Sequence, residues 1–117
     1  MMDEKKLYQA ILREYGEDAQ FKMCIEECSE LINALCKMFR GRGKDADVIT
    51  EIADVTIMCQ QLALMFGEDE VNAEILRKQE RMIDRMKGRL SLREIAYIEG
   101  REITEPLADE LPFDNPF

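Results

Sequence analysis

Four carboxylates occupy positions where helical periodicity demands apolar core residues, and no other feature of this 117-residue chain constrains its fold so tightly. Glu27 and Glu30 lie in the run Glu26-Glu27-Cys28-Ser29-Glu30, and Glu51 and Asp54 in Glu51-Ile52-Ala53-Asp54. Residues three apart share a helix face. At roughly 100° per residue, Glu27 and Glu30 point with Met23, Leu31, Ala34 and Met38, while Glu51 and Asp54 point with Val55, Met58, Leu62 and Met65. A buried anion is costly unless it is paired or holds a metal. Two acidic pairs on two apolar faces therefore predict a shared cation, and an all-oxygen donor set favours Mg²⁺, with Mn²⁺ as a substitute.

The rest of the pattern predicts an all-α fold, a four-helix bundle-like core over residues 1–88 followed by an irregular C-terminal arm over 89–117. A first helix spans about 3–15 with Leu7, Ile11 and Leu12 inward and stops at Gly16. A second runs over about 18–39 and carries the first acidic pair. Arg40-Gly41-Arg42-Gly43-Lys44-Asp45 breaks the period as a loop, and Asp45 or Asp47 can cap a third helix over about 48–66 that carries the second pair. Gly67 ends it, and Asp69 can cap a charge-rich fourth helix over about 69–87. Residues 90–103 fit either a short helix or an extended arm. The three prolines all follow position 105, and the acidic end, residues 109–117, is excluded from regular helix by two of them. Its Asp-Glu-Leu-Pro-Phe is similar to the acidic, Phe-bearing tips of single-stranded-DNA-binding proteins, although a frayed or subunit-packed terminus is the simpler reading.

The formal charge of −9 argues against an extended nucleic-acid surface, which requires clustered Lys and Arg. No apolar stretch approaches the ~20 residues of a membrane span and the N-terminus lacks a signal-peptide core, so a cytoplasmic protein is expected. The four cysteines, at 24, 28, 36 and 59, include no C-x-x-C pair and fit reduced core thiols; zinc on Cys24 and Cys28 lacks further ligands. With no histidine, the usual general base and every Ser-His or Cys-His arrangement are absent, leaving chemistry to carboxylates, metal and water.

E-E-x-x-E at 26–30, followed after 20 residues by E-x-x-D at 51–54 with a basic glycine loop between, resembles the MazG-like all-α nucleoside triphosphate pyrophosphohydrolases over about residues 18–87. The resemblance implies cleavage of a nucleoside triphosphate between the α and β phosphates, giving monophosphate and pyrophosphate. It implies Mg²⁺ held by Glu27, Glu30, Glu51 and Asp54, with Glu26 as the less defined first acid, in support of the cluster or in water orientation. Glu26 and Glu27 are accordingly the candidate catalytic carboxylates. The family also places cations on the following helix against phosphates, for which Lys78 and Arg81 are the nearest match, ahead of Arg77 and Arg85. Pairing of these cations with Glu74 and Glu80 is the competing reading. Arg40, Arg42 and Lys44 are further candidates to close over phosphates.

Phosphoribosyl-ATP pyrophosphohydrolase shares the helical plan and the bond cleaved and is the enzymatic rival. A di-iron carboxylate bundle needs Glu-x-x-His on two helices and fails for want of histidine. The non-catalytic alternative is an acidic helical adaptor. Ile49, Ile52, Ala53, Ile57, Ala63 and Leu64 make the third helix apolar beyond its site face, which predicts burial in a homodimer or homotetramer.

Overall fold

Five α-helices and no strand make up the described residues, 1–101, of the computed structural model: α1 Glu4–Tyr15, α2 Glu17–Phe39, α3 Asp45–Phe66, α4 Glu68–Met86 and α5 Leu92–Ile98. The all-α expectation holds, and the expectations for the 109–117 tail lie outside the described residues. The chain divides into two compact units, Met1–Val71 and a second that begins at Asn72 within α4.

The helix ends show which local forces win. Asp3 caps α1 by accepting the Lys6 amide at 3.1 Å, and Gly16 closes it at φ 85°. The capping roles expected of Asp45 and Asp47 are corrected: α3 starts earlier, Lys44 is its N-cap, and no side chain bonds the free amides there. Both aspartates lie in the first turn, where negative charge meets the positive end of the helix dipole. Asp69 is likewise inside α4, whose first turn is Glu68-Asp69-Glu70. Within the described part of the 90–103 segment the chain forms the short helix α5, set by a capping box in which the Ser91 side chain accepts from the Glu94 amide and Glu94 accepts from the Ser91 amide.

In the first unit α2 and α3 form an antiparallel helical hairpin, with α1 packed on both. The reversal at 40–44 is tight. Arg42 donates its amide to the Lys37 carbonyl at 2.9 Å and Gly41 to that of Met38 at 3.0 Å, with Gly41 at φ 74°. Gly43 presses on the end of α2, where an added Cβ would stand 2.8 Å from the Met38 backbone nitrogen. That nitrogen cannot move without unwinding the helix, so Gly43→Ala should cost about 1–3 kcal/mol, the range for overpacking. A thermal midpoint several degrees lower is the expected result; an unchanged midpoint would mean that the reversal is not a fixed part of the fold.

The core is thin. Tyr8, Gln20, Cys24, Ala34, Met58 and Gln61 are the buried residues of the first unit, and no described side chain falls below 2 % exposure. The inward set of α1 needs correction. Leu7 is exposed and Tyr8 takes its place, because the phenol packs inward while its hydroxyl donates to Gln60 Oε1 on α3 at 2.8 Å. Met23 and Met38 are also exposed, at the edges of the face they were expected to share with the acids. Phe21 and Phe66 join α2 to α3 with ring centroids 5.9 Å apart. All four cysteines are free; Cys24 is buried and Cys28 half-buried as expected of core thiols, whereas Cys36 and Cys59 are exposed. Burial and the neighbouring Cys28 and Cys59 push the Cys24 thiol up to about 11, so it stays protonated and unreactive.

Ile49, Ile52 and Ile57 remain exposed on α3, joined by Ile25, Ile32 and Leu35 on α2. Contrary to the sequence expectation, α3 is by length and composition alone apolar enough to cross a membrane, with a mean hydropathy of 1.3. Glu51 and Asp54 in its middle weigh against that use, since ionised groups are expensive in hydrocarbon.

Candidate metal centre

Antiparallel pairing of α2 with α3 sets one acidic pair against the other. Glu27 from α2 and Glu51 and Asp54 from α3 each present a carboxylate oxygen, and these three oxygens lie within 4.8 Å of one another. All three residues are half-buried. Glu30 stands at the exposed rim, where its charge acts on both Glu27 and Glu51. Three residues turn a helix through about 300°, so Glu30 is displaced about 60° from Glu27, toward solvent. Glu26 is exposed on the adjoining face of α2.

Among the described residues no ion pair balances this charge, and Glu27 Oε2 and Glu51 Oε2 are buried without a hydrogen-bond partner. Desolvation raises the Glu27 carboxyl above its ordinary value, aided by the charges of Asp54, Glu30 and Glu51. Glu51 is raised by desolvation and then by Glu30, Asp54 and, less strongly, Asp47. Asp47, four residues before Glu51 on the same helical face, is a contributor that sequence reading assigned only to capping. Two orphaned carboxylate oxygens among three converging acids fit a hard divalent cation, which would replace the missing partners with oxygen coordination.

The candidate phosphate cations separate into two groups. Arg40, Arg42 and Lys44 are exposed at the tip of the hairpin, with Lys44 roughly 10 Å along α3 from Glu51 at 1.5 Å per residue. Lys78 and Arg81 are exposed on the part of α4 that belongs to the second unit. There Lys78 Nζ lies 3.7 Å from Glu74, which Arg77 also grips through Nε and Nη2. The Arg77 contact, with Lys78 and Arg81 nearby, holds the Glu74 carboxyl down at about 2. The i, i+4 pairing that competes with phosphate binding is therefore present for Lys78. Comparison of the chain with protein-family models, with curated proteins and with solved structures gives no match, so the meaning of the centre rests on its own residues and geometry.

Proposed function

We propose that the chain is a Mg²⁺-dependent nucleoside triphosphate pyrophosphohydrolase of the MazG-like kind, cleaving the α–β phosphoanhydride. The observation that carries this reading is the meeting of Glu27, Glu51 and Asp54 from two helices with two of their buried oxygens unpartnered. Buried polar oxygens are normally partnered; Glu27 Oε2 and Glu51 Oε2 are not. Glu27, Glu51 and Asp54 would hold the cation, with Glu30 completing the set from the rim. A divalent cation, when bound, supplies neutralisation of charge on the phosphate oxygens and activation of water, with Mn²⁺ able to substitute. The protein's own part is placement of the phosphates for in-line attack and acceptance of a proton by a carboxylate, Glu26 or Glu27. Lys78 and Arg81 are the proposed phosphate-binding cations, and Lys78 would have to leave Glu74 to take that role. The exposed isoleucines of α2 and α3 would be covered in a homodimer or homotetramer, within which a four-helix core is completed.

A screen of nucleoside triphosphates with Mg²⁺, scored separately for pyrophosphate and orthophosphate, tests the reading. Pyrophosphate release that stops with chelator is the expected result. Orthophosphate alone, or no turnover together with no Mg²⁺ binding by calorimetry, would leave the acidic adaptor as the better description.

A further inference from the structure

A second cluster of metal-ligating side chains lies on the same pair of helices as the acids, and its donor atoms are sulfur. Cys24 and Cys28 are four residues apart on α2, which puts them on one face with about 5–6 Å between their Cβ atoms. Cys59 comes from α3. The helices run antiparallel and Glu27 meets Asp54, so the steps back from Glu27 to Cys24 and onward from Asp54 to Cys59 lead the same way, about 4.5 and 7.5 Å along the hairpin at 1.5 Å per residue. The two cysteines therefore stand level to within one helical turn. Their side chains meet: the Cys24 thiol lies within hydrogen-bond reach of both Cys28 and Cys59. Cys24 is buried, Cys28 half-buried and Cys59 exposed, so the cluster runs from the interior of the hairpin to its surface and has an entry path.

The donor set decides which cation such a site can take. The chain has no histidine, and its fourth cysteine, Cys36, stands about 12 Å beyond Cys28 along α2, toward the hairpin tip. A structural zinc site needs four ligands, and Mg²⁺ takes oxygen. Among the described residues only Glu27, Glu51 and Asp54 bring three ligand atoms within 4.8 Å of one another, so the sulfurs offer a pair centred on Cys24 and not a three-point cage. Soft thiolates few in number select monovalent copper. We propose that Cys24 and Cys59 form a two-coordinate site for monovalent copper across the α2–α3 hairpin, with Cys28 beside them. Binding replaces two S–H bonds by two Cu–S bonds, releases both protons to solvent and transfers no electron, because a coordinated thiol is deprotonated outright. The site is independent of the pyrophosphohydrolase reading, since it shares no ligand with the acids.

The test uses the full chain, reduced and under nitrogen, titrated with Cu(I) in competition with bicinchoninate. One equivalent per chain should be held, with ultraviolet sulfur-to-copper absorption as its signature. Cys59→Ser should weaken the affinity by at least about a hundredfold, the upper end of what loss of even an outer-shell partner costs a metal site. The Cys59 side chain is exposed, so the fold survives the change. Cys36→Ser alters the other exposed thiol and should leave the affinity within about twofold, as a surface change away from the site does. Because the ion ties α2 to α3, Cu(I) should also raise the thermal midpoint of wild type and not that of Cys59→Ser. Full affinity in Cys59→Ser would overturn the site. An affinity lost in Cys36→Ser would overturn it as well, since copper would then be held by exposed thiols and not by the hairpin.

Discussion

Asp54→Asn should lower pyrophosphate release by at least about a hundredfold, equivalent to ~2.7 kcal/mol of barrier, and Glu27→Gln should do the same. Each residue contributes one of the three oxygens that converge within 4.8 Å, and each substitution replaces an anionic donor by a neutral amide of equal volume. The fold has little reason to change. Asp54 is only half-buried, and among the described residues no side-chain hydrogen bond or ion pair to its carboxylate is present to be broken. The loss should therefore appear as weaker Mg²⁺ binding together with lower turnover, and raised Mg²⁺ should recover part of it. Glu30→Gln, at the rim, should fall less far than either. Glu26→Gln distinguishes two roles for the first acid: a kcat loss with unchanged Mg²⁺ affinity places it at the proton, whereas a wild-type rate removes it from the site. Full activity in Asp54→Asn would show that the acidic cluster is not the catalytic centre.

Much of this arrangement is legible in the sequence because helical period is a strong constraint. Acids at 27, 30, 51 and 54 on otherwise apolar faces can meet only if the two helices pair, and the glycine-containing loop between them is short enough to force an antiparallel hairpin. Finer placement escapes the period. The pattern puts Leu7 inside, but Tyr8 wins because its ring and hydroxyl together satisfy both an apolar contact and Gln60. The helix starts at Asp45 and Glu68 are missed because acidic residues favour both the cap and the first turn, and nothing local separates the two. The α5 boundary was available: Ser91-Leu92-Arg93-Glu94 is a capping-box spelling, and the structure uses it. Cys59 had no such signal, since its meeting with Cys24 is a property of how the helices pair and not of its residue type.

Glu51→Gln should raise the thermal midpoint of the protein in chelator by a few degrees, the opposite of what removal of a buried charged group usually does. The reason is the company that Glu51 keeps. Its carboxyl is raised by desolvation and by the charges of Glu30, Asp54 and Asp47, with no cation among the described residues to offset them. The neutral amide removes that repulsion and donates N–H groups to carboxylates that now lack a donor. The pH dependence has a definite sign. A carboxyl whose folded-state pKa lies above its ordinary 4.5 binds more protons folded than unfolded. Stability is thus greatest below the unfolded value and is lost as pH rises through the folded one. The advantage of Glu51→Gln over wild type should therefore be largest near neutral pH and shrink as the pH is lowered toward 4.5. Taking the difference between the two proteins removes Glu74, whose depressed pKa contributes in the reverse direction in both. Mg²⁺ should then invert the order, raising the wild-type midpoint by mass action and the variant's much less. A variant that melts lower than wild type in chelator at neutral pH, with an undiminished response to Mg²⁺, would mean that Glu51 is stabilised by something other than a divalent cation, and the centre formed by Glu27, Glu51 and Asp54 would lose its basis.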